Sequence, residues 1–224
     1  MASALKTNIS IENHASIIYH FAYKEIHRTT PQMIFSKKHK FLFIKTRKTA
    51  GSTLEGVLYP ILGKEDICTG SKRDGTPALN CPANTNGHQT VNFKCIPSDY
   101  LTFSIERNPF DKVVSSYFWH RNIKPHIFGT MDFPEYIEKC SLLPLDWELY
   151  QGCDVIFKYE EMSEMYRYLS DYTGEDLALK TANSLNFKSG FRQIRNYRNI
   201  HTNETVRRVT QLFAREIDQF GYRY

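Results

Sequence analysis

Apolar positions along the chain follow two rhythms in alternation. Phe41-Leu42-Phe43-Ile44 is apolar on both faces, which predicts a short strand covered on each side. Leu54, Val57, Leu58, Ile61 and Leu62 then take the helical spacing i, i+3, i+4, i+7, i+8, and Pro60 kinks or ends that helix. Tyr100 to Ile105 predicts a second strand. Asn108-Pro109 after it pairs an N-cap with a first helical residue, and Phe110, Val113, Val114, Tyr117 and Phe118 supply the apolar face that follows. Val155-Ile156-Phe157 predicts a third strand, ahead of a helix with Met162, Met165, Tyr166, Leu169 and Tyr172 on one side. A last helix starts near Asn203, turns Val206, Val209, Leu212, Phe213, Ile217 and Phe220 inward, and stops at Gly221. Before the first strand, residues 16–27 carry a short helical stripe through Ile17, Ile18 and Phe21. Residues 1–36 are expected to form an N-terminal helical extension, with Lys37 to Lys40 a basic entrance to the strand.

Strands alternating with helices predict one α/β domain over residues 1–224. Its expected form is a P-loop-like three-layer sandwich, with a central parallel sheet flanked by helices. Ligands in such folds bind at the carboxyl ends of the strands. Chemistry is therefore expected at two strand-to-helix turns, 45–53 and 106–109. Residues 63–90 hold four Gly, two Pro and three Asn with little apolar periodicity, which predicts a long acceptor-side loop.

Composition narrows the function classes. Hydrophobic residues make up 41% and aromatics 14%, which excludes a disordered or low-complexity chain. No stretch approaches ~18 uninterrupted apolar residues, so no membrane span is expected. The opening MASALKTNISIENH lacks a basic region followed by an apolar core, so no signal peptide is expected. The five Cys form no CxxC pair, which argues against a zinc site or a disulfide framework and fits a reducing, cytoplasmic setting. A net charge of +5 suits an anionic ligand but is too weak to imply nucleic acid.

The first turn has the chemistry of a phosphate cradle. Backbone N–H groups at a helix start face outward, and the helix dipole adds about half a positive charge there. Ala50 and Gly51 are small enough for a phosphate to reach the backbone. Ser52 and Thr53 add hydroxyl donors, and Lys45, Arg47 and Lys48 add charge. Lys48 can reach negative charge developing beyond the phosphate. The loop is not a Walker A sequence: Ser52 stands where the Walker lysine would be, and the lysine lies three residues before Gly51. At the second turn Arg107 ends a strand and Ser115 lies eight residues on. An arginine fork suits a phosphate dianion and a hydroxyl can complete the site; equally, Arg107 can pair with Asp111.

Phe43 to Thr53 resembles the 5′-phosphosulfate loop of sulfotransferases that use 3′-phosphoadenosine 5′-phosphosulfate (PAPS), closest to the carbohydrate O-sulfotransferase branch. The run from Arg107 to Ser115 resembles that family's 3′-phosphate motif. Phe157 to Met162 looks like its strand-then-YEnL segment, and Asp218 to Tyr222 like its closing D-x-x-FGY. The resemblance covers roughly residues 40–224, and the expectation of no membrane anchor departs from the carbohydrate enzymes.

The resemblance implies that Arg47, Lys48, Thr49, Ala50, Gly51, Ser52 and Thr53 bind the donor's 5′ side and that Arg107 and Ser115 bind its 3′-phosphate. Lys188, Ser189 and Arg192 are further donor contacts, placed where relatives fold a loop over the nucleotide. His88, in an Asn86-Gly87-His88 segment before the Arg107 strand, is the expected base. Glu55 and His120 are its rivals. Lys48 assists the leaving oxygen, no metal is required, and the product nucleotide is adenosine 3′,5′-bisphosphate. The acceptor is expected to be a saccharide hydroxyl, with Arg121, Lys124, Trp119 and Trp147 as sugar contacts or, for the aromatics, core. Two other functions compete with this reading. A P-loop nucleotide kinase would need Mg²⁺, and a non-catalytic module binding an anionic polymer would make the paired motifs superfluous.

Overall fold

The computed structural model describes residues 32–69, 92–140, 143–177, 189–192 and 194–224. Five strands form one sheet: β1 (Met33–Ser36), β2 (Phe41–Ile44), β3 (Ile67–Cys68), β4 (Leu101–Glu106) and β5 (Val155–Lys158), in the order β3-β1-β2-β4-β5. β2, β4 and β5 run parallel, with Phe43 opposite Phe103 and Phe103 opposite Val155. β1 runs antiparallel to both β2 and β3, so the sheet is mixed rather than wholly parallel as expected.

The mixed sheet follows from a tight reversal between β1 and β2. The Asp66 carboxylate accepts the N–H groups of Lys37 and Lys38 at 2.8 and 3.1 Å, and Lys40 takes φ 53°. A four-residue reversal can join only antiparallel neighbours. Residues 33–36 are thus a sheet strand, which corrects the helical extension expected through residue 36. All four are buried, so β1 shows no alternation and little signal of its own.

Side chains alternate across the sheet. One face turns Ile34, Phe41, Phe43, Phe103 and Ile105 toward Leu54, Val57 and Leu58 of α1 (Gly51–Leu58). A helix after β5, residues Met162–Thr173, adds Met165, Tyr166 and Leu169 to this cluster. The rings of Phe43 and Phe103 stack at 5.2 Å between centroids. The opposite face turns Met33, Phe35, Leu42 and Ile44 toward Tyr150, Trp147 and Phe220. A further core forms around α2 (Pro109–Ile123), whose Val113, Val114, Tyr117 and Phe118 pack against Phe128, Phe133, Tyr136, Val209 and Phe213. The last helix is two: Asn203–Leu212 and Ala214–Phe220 meet at Phe213, which is fully buried and leaves helical geometry (φ −113°, ψ 30°). No helix among the described residues is long and apolar enough to cross a membrane. The helix expected at 16–27 and the loop beyond residue 69 lie outside the described residues.

The parallel strands β2 and β4 end side by side, Ile44 opposite Ser104. The turns that follow them, 45–50 and 107–108, therefore emerge as neighbours.

Candidate functional site

The first turn leaves β2 at Lys45 and enters α1 at Gly51. Lys48 and Ala50 both have left-handed backbone, φ 65° and 62°, on either side of Thr49. Left-handed residues in a turn aim successive N–H groups to one side, as in anion-binding nests. The N–H groups of Thr49, Ala50 and Gly51 meet no acceptor among the described residues, and α1 has no side-chain cap. Ser52 and Thr53 follow, half-buried, in the first turn of the helix. Beneath, Thr49 and Thr46 are both buried; their hydroxyls lie 2.9 Å apart, and Thr46 Oγ1 donates to the Ile105 carbonyl of the neighbouring strand.

Gly51 has a second reason to be glycine. A Cβ there would stand 2.6 Å from Cγ of Lys45, whose stem crosses beneath the turn. The Lys45 ammonium is held by Glu55 Oε2 at 2.6 Å, while Glu55 Oε1 is buried without a hydrogen-bond partner among the described residues. Lys45 thus supports the turn from below, and its charge is met by a carboxylate.

The second turn starts at Arg107, only 7% exposed. Asn108 caps α2 by accepting the Phe110 N–H at 3.0 Å, and Pro109 occupies the first helical position. The Arg107 guanidinium donates from Nε and Nη2 to Asp111 Oδ2, lies 4.1 Å from the centre of the Tyr159 ring, and donates from Nη1 to the Lys48 carbonyl at 3.1 Å. That last bond joins the two turns directly. Three of the five N–H donors of an arginine are engaged among the described residues, which leaves two.

One side of α2 continues from this point. Asp111, Ser115 and Trp119, spaced four apart, are each half-buried, while most residues between them are buried. Arg192 reaches Asp111 Oδ1 at 2.6 Å, an ion pair outside hydrogen-bond angles. Phe191 meets Trp119 edge-on at 5.1 Å, and the Lys48 ammonium sits 4.8 Å above the same Trp119 ring. Arg107 and Arg192 thus share Asp111, Arg47 is paired with Asp146, and Lys48 lies over Trp119. Cations beside N–H groups that meet no acceptor among the described residues are the chemistry an anion needs.

A family model described as "Sulfotransferase family" matches residues 31–223. The chain belongs to the sulfotransferase family. No curated protein matches it. A search of solved structures finds the crystal structure of mouse sulfotransferase SULT7A1 complexed with PAP, at 12% identity and a TM-score of 0.46, covering 88% of this chain and 89% of that one.

The residues expected at the site of this sulfotransferase fall into three groups. Lys48, Thr49, Ala50, Gly51, Ser52, Thr53, Arg107, Ser115 and Arg192 gather at the two turns and the α2 face between them. Arg47 gathers with them through its backbone, but its side chain turns away: Nε donates to Asp146 Oδ1 at 2.7 Å and the backbone N–H to Oδ2 at 2.8 Å. His88 and Lys188 lie outside the described residues, and Ser189 opens a short 3₁₀ turn, Ser189–Phe191. Sequence reasoning left Asp146 and Tyr159 unassigned. Asp146 is 99 positions from its partner Arg47 in the chain, and no local pattern joins them. Trp119 had a local signal that went unused: its spacing of eight from Asp111 puts both on one side of α2.

His120, a rival for the base, is buried in the second core. Its Nδ1 shares a 2.8 Å hydrogen bond with the Tyr136 hydroxyl, and its ring stacks on Phe128 at 5.1 Å. Burial, helped by the charges of Lys124, Lys48 and Arg47, pushes its pKa down to about 4. The unfolded chain takes up that proton near pH 6.5, and the folded chain refuses it until about pH 4. Folding stability is thus complete above pH 6.5 and falls as the pH drops through this window, by about 3 kcal/mol in all. His120→Gln, which keeps a polar partner for Tyr136 and does not titrate, is expected to flatten that part of the stability profile. Urea midpoints at pH 7 and pH 5 check it; an unchanged difference between them would show that His120 does not carry this acid sensitivity.

Proposed function

We propose that this sulfotransferase takes its sulfuryl group from PAPS and passes it to a hydroxyl of a carbohydrate acceptor. The observation that carries the donor assignment is the Arg107–Lys48 hydrogen bond, which brings two anion-binding turns within reach of one ligand. The N–H groups of Thr49, Ala50 and Gly51, with the Ser52 and Thr53 hydroxyls, suit the 5′-phosphate. The two remaining Arg107 donors and the Ser115 hydroxyl suit the 3′-phosphate, the group that distinguishes PAPS from ATP. Arg192 approaches from the segment across α2, with Lys188 and Ser189 beside it in sequence. Arg47 serves this site by shaping the turn, since Asp146 holds its guanidinium.

In the reaction, an acceptor oxygen bonds to sulfur as the bond from sulfur to the bridging phosphate oxygen breaks. His88 takes the acceptor's proton, and Lys48 offsets the charge left on the bridging oxygen. The products are a sulfate ester and adenosine 3′,5′-bisphosphate. Most of the acceleration comes from holding the reacting atoms in line and stabilising charge in a prepared site. The carbohydrate class rests on the likeness of residues 43–53 and 218–222 to the carbohydrate enzymes.

A thermal-shift comparison tests the donor. Adenosine 3′,5′-bisphosphate at a hundred times its Kd should stabilise the fold by about 2.7 kcal/mol, and ATP with Mg²⁺ far less. For a domain of this size that is a rise of roughly 5–10 °C. The reverse ranking would sink PAPS as donor and favour a nucleotide kinase. Offering labelled PAPS to saccharide and phenolic acceptors together then tests the acceptor class: label on phenols alone overturns the carbohydrate assignment.

A further inference from the structure

Beneath the two turns lies a group of charges that the proposed chemistry leaves unused. Lys112 and Glu106 are wholly buried, and Asp146 is 1% exposed. The Lys112 ammonium lies 2.9 and 3.0 Å from the two Glu106 oxygens and 3.5 Å from Asp146 Oδ2. Each carboxylate in turn holds the backbone of one turn. Asp146 Oδ2 accepts the Arg47 N–H at 2.8 Å, and Glu106 Oε1 accepts the Arg107 N–H at 2.8 Å. Tyr150, also fully buried, donates its hydroxyl to Glu106 Oε2. One ammonium therefore ties together two carboxylates, and each carboxylate grips the start of a different anion-binding turn.

We propose that Asp146, Lys112 and Glu106 form a buried brace that sets the spacing between the two turns, acting as positioning residues for a donor with two phosphate ends. This inference rests on the donor assignment above. Buried ion pairs are poor sources of net stability, because desolvation offsets their attraction. What such a group supplies is direction. Three charges with fixed hydrogen-bond geometry permit one relative placement of Arg47 and Arg107, where an apolar filling of the same volume would permit several. A ligand that bridges two sites gains over a ligand that fills one only if the sites are held at its own span. Arg47 makes the device specific to the first turn, since both its N–H and its guanidinium are fixed by the same carboxylate.

The test compares adenosine 3′,5′-bisphosphate with adenosine 5′-monophosphate and adenosine 3′-monophosphate, each measured by calorimetry on the whole chain. Wild type should prefer the bisphosphate to either monophosphate. Asp146→Asn keeps the shape and an acceptor for Arg47 but removes the charge that Lys112 and Arg47 share. It should reduce the preference for the bisphosphate by about tenfold and change monophosphate affinities by less than about twofold. Tyr150→Phe, which removes one bond to Glu106 and leaves every charge in place, should reduce the preference by about threefold and serves if Asp146→Asn does not fold. A role confined to stability would lower the melting temperature and leave the ratio of affinities as it was. A wild-type preference that survives in the folded variants overturns the brace alone. A wild type with no preference overturns the donor assignment and the brace with it.

Discussion

Replacing Lys48 by alanine is expected to lower kcat by about 10² to 10³ while adenosine 3′,5′-bisphosphate binds within a factor of about three of wild type. The separation of the two effects follows from which part of Lys48 does what. The turn is held to Arg107 through the Lys48 carbonyl, and alanine keeps that carbonyl. The left-handed backbone is also tolerated, because Ala50 two residues on adopts the same conformation. What is lost is the ammonium poised over Trp119, a contact of modest worth at rest. In the proposed mechanism its larger effect comes as charge builds on the bridging oxygen during transfer. His88→Ala should show the same division, with binding kept and transfer lost, for the separate reason that the acceptor proton has no base. Single-turnover rates with preloaded donor check both. A rate within tenfold of wild type removes the substituted residue from the reaction, and in the case of His88 passes the role to Glu55, whose Oε1 is buried without a partner among the described residues.

Arg107→Ala is expected to weaken adenosine 3′,5′-bisphosphate by about 2 kcal/mol, near thirtyfold in Kd. A buried guanidinium with three donors already committed is a fixed object, so its remaining two N–H groups are aimed before the ligand arrives and little ordering is lost on binding. Arg107→Lys should recover only part of the loss. An ammonium can meet Asp111 or the ligand but cannot fork between them, nor lie flat on Tyr159 as the guanidinium does. Arg107→Ala should also melt earlier than wild type, because Asp111 keeps Arg192 alone as its partner among the described residues. Affinity is therefore to be measured well below the melting point. An unchanged Kd in Arg107→Ala would take this residue out of the donor site.

The amino-acid sequence by itself determined the local elements and the two strand-to-helix turns that join them. The both-faces-apolar run at 41–44, the Asn108-Pro109 start of α2 and the stripes on the helices at 51–58 and 162–173 each depend on residues within a few positions of one another. Their strands and helices appear within a few residues of where the spacing puts them. The two turns are legible for the same reason: a strand end, small residues, hydroxyls and cations lie in one short stretch. Only the tertiary structure decided what those cations do. Arg47 and Lys48 are adjacent and alike on paper, yet one is turned down to Asp146 and the other lies over Trp119. β1 was hidden because four uniformly buried residues carry no period, and their place was settled by pairing with β2 and β3. The contacts that join the turns, Arg107 to Lys48 and Lys112 to Glu106 and Asp146, depend on β2 and β4 ending side by side. Chain neighbours set propensity over a turn or two of backbone, whereas a buried charge finds its partner only when the closed fold excludes water and leaves no other group within reach.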